Sequence, residues 1–160
     1  MSVGQILGPG AGKAIKLPGV TAVFKVVNDR KPGDFVVLEV TADPSFAGPG
    51  PHVHDTYEEL FYVLDGEFDF FLDSEVRRVG PGSFVNVPPG VMHDYRNPGT
   101  GPARFLGIAC PAGLDRYFEE IRDLIGAGNL ADVEELRRLR LRYNTVEPED
   151  APPGHWAEQR

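Results

Sequence analysis

Between Val20 and Cys110 short apolar runs alternate with breaks marked by glycine and proline, a pattern that predicts β-strands. Residues 20–27 (VTAVFKVV) and 34–42 (DFVVLEVTA) are rich in Val and Phe and bounded by Gly or Pro. Such β-branched and aromatic residues suit a pleated, half-buried surface. Residues 59–65 (ELFYVLD) and 67–73 (EFDFFLD) flank Gly66 and predict a hairpin turning at Asp65–Gly66. In the second run Phe68, Phe70 and Leu72 alternate with Asp69 and Asp73, setting an apolar face against a partly polar one. Residues 75–79, 83–87 and 103–109 continue the series, separated by "GPG", "PPG" and "NPGTGP". Strands at this spacing predict a closed or sandwich-like all-β architecture.

After Pro111 the period changes. Residues 113–125 place Leu114, Tyr117, Phe118, Ile121, Leu124 and Ile125 at helical spacing, and residues 130–141 repeat this with Val133, Leu136, Leu139 and Leu141. Gly126 and Gly128 with Asn129 separate the two helices. The end (NTVEPEDAPPGHWAEQR) is polar and Pro-rich, and predicts a surface tail laid across its own barrel or a neighbour's. The chain therefore divides into an arm (1–19), a barrel (20–110), a helical segment (111–143) and a polar tail (144–160), all in one domain. His155, in that tail, reads as solvated.

Composition narrows the function. With 160 residues the chain suits one domain with a real core. A net charge of -8 argues against nucleic acid as the main partner, since phosphate binding needs clustered Lys and Arg, and it disfavours an anionic membrane surface. The single cysteine, Cys110, allows neither an intrachain disulfide nor a cysteine-built metal site, and its place after an apolar strand predicts a small buried residue. The N-terminus is broken by Gly and Pro, so no signal peptide is read, and no run of about 18 apolar residues exists to span a bilayer. The expected location is the cytoplasm.

The candidate chemistry lies in "PHVHDTYEELFYVLDGE". His52 and His54 are two apart, so in an extended segment their side chains leave the same face. Glu59 has the wrong parity for one regular strand. The intervening residues must bend or bulge to bring it round, and Glu59, Phe61 and Val63 then share one face. Glu58 is the competing carboxylate, one residue out of phase. If the 83–87 strand lies antiparallel to the 59–65 strand or its neighbour, His93 joins the group. Three imidazoles and a carboxylate form a coherent metal set. Around a six-coordinate ion they leave two open positions, whereas tetrahedral zinc would be filled by them.

The same residues carry a family resemblance. His52-x-His54, four residues, Glu59, six residues, Gly66 is similar to the first motif of the cupins, although Gly48 and Gly50 stand closer to His52 than the usual lead-in glycine. Gly82, Pro88, Gly90, His93 and Asn97 match the second motif throughout. The resemblance covers about residues 20–110. It implies a mainly β chain, a small antiparallel β-barrel of the double-stranded β-helix, jelly-roll type, followed by C-terminal helices. It also implies one divalent transition metal (Ni, Mn, Fe, Co, Cu or Zn) held by His52, His54, Glu59 and His93. The spacing to Gly66 favours Glu59 over Glu58, while Gly66, Gly82, Pro88 and Gly90 serve turns.

The helical segment resembles that of single-domain, quercetin 2,3-dioxygenase-like cupins. This implies a dioxygenase that binds an aromatic or enolic small molecule through an enolate oxygen and consumes O2, with Glu59 as ligand and base. The alternatives are a non-oxidative isomerase, cyclase or decarboxylase, and a binding protein without turnover. Phe61, Val63, Phe68, Phe70, Phe84 and Phe105 are candidate pocket-lining residues, against the simpler reading of plain core. Tyr62, Tyr95 and Asp94 are candidate partners of the ligands, though each reads more simply as surface or structural. Cupin barrels often pair through sheet edges, so a homodimer is expected.

Overall fold

A computed structural model describes residues 4–27, 33–127 and 133–148, together with Trp156. The Gly128–Asn129 break and His155 lie outside the described residues. In chain order the elements are β1 (Lys13–Leu17), β2 (Val20–Val27), β3 (Val36–Ala42), β4 (Val53–His54), β5 (Glu58–Asp65), β6 (Phe68–Leu72), β7 (Glu75–Val79), β8 (Phe84–Val87), β9 (His93–Arg96), β10 (Ala103–Cys110), α1 (Leu114–Gly126), α2 (Val133–Arg142) and β11 (Thr145–Val146). The chain is mainly β, an antiparallel jelly roll followed by helices.

The strands form a six-stranded sheet in the order β1-β2-β3-β10-β5-β8, a three-stranded sheet β7-β6-β9 and a pair β11-β4. Among the described residues they do not close into one hydrogen-bonded ring. Period-two burial is clearest in β3 and β10, where buried and half-buried residues alternate along the whole strand. The inward set builds one core that includes Val36, Val40, Val63, Phe68, Phe70 and Phe105. Phe61 and Phe68 each meet Phe105 edge to face at 5.2 Å between ring centres, which adds directional contact to the burial.

Two expectations are corrected here. The hairpin at Asp65–Gly66 does not form: β5 pairs with β10 and β8, whereas β6 pairs with β7 and β9. Gly66, with φ of 71°, carries the chain from one sheet to the other, and a Cβ there would lie 2.7 Å from the Ala103 side chain. A turn signal marks where a strand ends but not which partner the next strand takes. Nor is Asp69 on an open polar face. It is buried, because Arg78 and Arg96 cover it with hydrogen bonds of 2.8 and 2.9 Å to its carboxylate.

Parts of the terminal segments are built into the fold. Residues 13–17 of the arm form β1, which pairs with β2 over five residues. Thr145 and Val146 of the tail pair with His54 and Val53. Helix α1 packs Phe118 edge-on to Phe24 at 5.8 Å, and Lys13 pairs with Glu119 at 2.8 Å. Tyr143, just past α2, donates to Glu120 of α1 at 2.6 Å and so ties the two helices together.

Candidate metal centre

His52, His54, Glu59 and His93 come together from three segments. Residues 55–57 leave the strand geometry between β4 and β5, and this bend restores the parity of Glu59. His52 and His93 are locked backbone to backbone, with His52 N–H donating to the His93 carbonyl at 3.0 Å and the reverse bond at 2.9 Å. Gly90 N–H donates to the His54 carbonyl at 2.9 Å, so the second motif is docked on the first. Asn97 is a clamp: its amide N–H groups reach the carbonyls of Ala42, Asp43 and Gly101 at 2.8–3.2 Å, and its oxygen accepts from Gly99. It sets the loop that follows β9 without touching the cluster.

The three imidazoles are buried, and the Glu59 side chain is 12% exposed. One donor atom from each of the four lies within 4.8 Å of the others. Bonds of about 2.1 Å to a single ion put opposite donors about 4.2 Å apart, so the set fits one ion after small side-chain rotations. The tautomers also fit. His52 Nδ1 faces the Gly50 carbonyl at 2.7 Å, His93 Nδ1 the Val91 carbonyl at 3.0 Å and His54 Nδ1 the Thr145 hydroxyl at 3.2 Å. The carbonyls can only accept, and Thr145 is within 3.3 Å of the Tyr143 carbonyl for its own proton. Each Nδ1 therefore carries its ring's proton outward and leaves Nε2 for the centre, as outer hydrogen bonds orient ligands at metal sites.

Without an ion the cluster is electrostatically coupled. Burial opposes ionisation of Glu59, but hydrogen bonds and charge from His54 and His93 outweigh it and hold the carboxyl far below its usual range. Burial also opposes charge on His93, yet Glu59, 3.1 Å from its Nε2, raises its pKa. His52 is pushed well down by burial and by the neighbouring His93 and His54, so it is neutral at pH 7. A cation at this centre would take the place of the proton that Glu59 draws onto His93.

The cluster opens into a pocket of about 330 Å³ whose wall is largely apolar. Of the sequence candidates, Phe61 and Phe105 line it. Val63, Phe68 and Phe70 are buried in the core but do not reach the pocket wall. Phe84 is a correction: it is 62% exposed, because the inward residues of β8 are Val85 and Val87. Cys110 is likewise only half-buried, on the outward register of β10. Tyr62 is exposed, and Asp94 is buried and accepts from the Tyr95 N–H at 2.8 Å.

The sequence reading set Tyr95 aside and missed Tyr117, Arg140 and Thr145, all of which line the pocket. Burial, then the nearby Glu59, raises the pKa of Tyr95, and burial raises that of Tyr117, so both hydroxyls keep their protons. The apolar stripe of α1 was legible as a packing face. Its service as a pocket wall, through Leu114, Tyr117, Phe118, Ile121 and Ile125, depended on where the helix docks.

Residues 38–109 match the model of the cupin domain. Quercetin 2,3-dioxygenase of Bacillus subtilis (strain 168) is 28% identical over 91 residues, 57% of this chain and 26% of its own. An uncharacterised protein of Methanocaldococcus jannaschii is 35% identical over 60 residues, 38% of this chain and 48% of its own. The matched stretch thus spans between a quarter and a half of these two relatives' lengths. KdgF from Halomonas sp. superposes with a TM-score of 0.62 at 22% identity, over 71% of this chain and 99% of its own. The polyketide cyclase RemF from Streptomyces resistomycificus gives 0.59 at 24%, over 67% and 79%. With the jelly roll and both motifs in place, residues 38–109 are similar to the cupin domain, and the chain shares the fold of these solved structures.

Proposed function

We propose that this protein is a metal-dependent dioxygenase of an aromatic or enolisable small molecule. The observation that carries the reading is the convergence of four metal-type donors, of which His52, His54 and Glu59 line a largely apolar pocket. The likeness to quercetin 2,3-dioxygenase over 57% of the chain supports the oxidative form of the chemistry. His52, His54, Glu59 and His93 would hold one divalent transition ion, which supplies Lewis acidity toward a substrate oxygen. The donor set alone does not select the metal.

The protein's own part follows from its side chains. Glu59 lines the pocket beside the other donors, and its carboxylate is the base placed to take a substrate hydroxyl proton. Tyr95 and Tyr117 keep their protons and offer O–H donors to substrate oxygens. Phe61, Phe105 and the apolar face of α1 keep water from the reacting carbon. The reading includes a homodimer as the working form.

Oxygen uptake tests the proposal, with protein loaded separately with Ni, Mn, Fe, Co and Cu and offered a panel of flavonols and related enols. Uptake that follows one metal and vanishes in His93→Ala is expected. No uptake by any fully loaded form would contradict an oxygenase and turn the search to anaerobic isomerase, cyclase or decarboxylase chemistry, or to binding alone.

A further inference from the structure

Arg140 takes no part in the proposed chemistry. It stands on α2, beyond the matched cupin domain, yet lines the same pocket as His52, His54 and Glu59. Two corners of its guanidinium are held: Nη2 donates to the Pro49 carbonyl at 3.2 Å, and Nη1 pairs with the Glu147 carboxylate. The third nitrogen, Nε, is buried and its N–H has no hydrogen-bond partner among the described residues. The whole side chain is 14% exposed. A buried donor on a charged group is costly to leave unpaired. Arg140 nonetheless belongs to the cavity wall, beside Tyr117. Glu147, 54% exposed and screened by water, offsets only part of the guanidinium charge.

We propose that Arg140, with Tyr117 beside it, is an anion-recognition subsite. The substrate then has an apolar ring body and a carboxylate or phenolate oxygen that accepts from the Arg140 guanidinium. This deepens the proposed function, since it rests on this same pocket holding the substrate. A charged acceptor makes a shorter, stronger bond to a guanidinium than a neutral one. The subsite therefore selects acidic members among molecules of equal size.

The test is calorimetric titration of the full chain with 2-naphthoate and with its neutral counterpart 2-naphthamide, before and after metal is removed by a chelator. Wild type should bind the acid about 10- to 100-fold more tightly than the amide. In Arg140→Met the preference should fall to near unity while amide binding and the melting temperature hold. If that variant does not fold, Arg140→Gln carries the same reading. Equal binding of the two probes by wild type would overturn the subsite, as would no binding of the acid at millimolar concentration. A preference that survives Arg140→Met and disappears with the metal would also overturn it, placing the anion on the ion and leaving the metal centre standing. A preference that follows Arg140 in protein that never takes up metal would keep the subsite and sink the metal reading.

Discussion

Asp69 shows how far one side chain here depends on its partners. Burial raises the cost of its charge, but the hydrogen bonds and charges of Arg78 and Arg96 win and hold the carboxyl below its usual range. A depressed carboxyl contributes stability above its unfolded value, about 4, and loses it as pH falls through the lower folded value. Asp69→Asn should therefore cost about 1–3 kcal/mol at pH 7 and much less at pH 3, read by urea denaturation at both. A deficit of equal size at the two pH values would contradict this. Alternation along β5 correctly set Phe61 and Val63 inward and Tyr62 and Leu64 outward. It failed for Phe84 and Asp69 because period two separates two faces without saying which is covered. On a four-residue edge strand and on a strand covered on both faces, that choice is made by distant residues.

At the scale of elements, Gly66 decides a topology. Its φ of 71° suits a residue without a Cβ, and any Cβ would press on Ala103 from 2.7 Å. Gly66→Ala should lower the unfolding free energy by about 2–4 kcal/mol, measured by chemical denaturation. A loss under about 0.5 kcal/mol would mean that the crossing between sheets tolerates a side chain. Long strands were legible because eight alternating residues outvote local noise, as in β2, β5 and β10. The two-residue β4 and β11 were not, since only their pairing with each other defines them. β9 was hidden in the second motif, where His93 to Arg96 are polar or aromatic and carry no apolar alternation.

For the molecule as a whole, the two motifs define a centre, while helices from outside the matched domain complete the pocket above it. The histidines and Glu59 were legible because motif spacing is local. Arg140 and Thr145 were not, because no local pattern tells that the chain returns to the centre 91 residues after His54. The outer face near edge strand β8 leaves Tyr62, Leu64 and Phe84 exposed, with Tyr62 directly opposite Phe84. Static light scattering at micromolar concentration should report twice the chain mass, and a monomer would contradict the homodimer. In the proposed function His52, His54, Glu59 and His93 hold one ion. The most direct test is metal content by plasma mass spectrometry, for wild type and His93→Ala loaded alike and freed of loose metal by gel filtration. One equivalent in wild type, and almost none in a His93→Ala protein with unchanged circular dichroism, is the predicted result. A full equivalent in His93→Ala, or none in wild type with any of the metals, would contradict it.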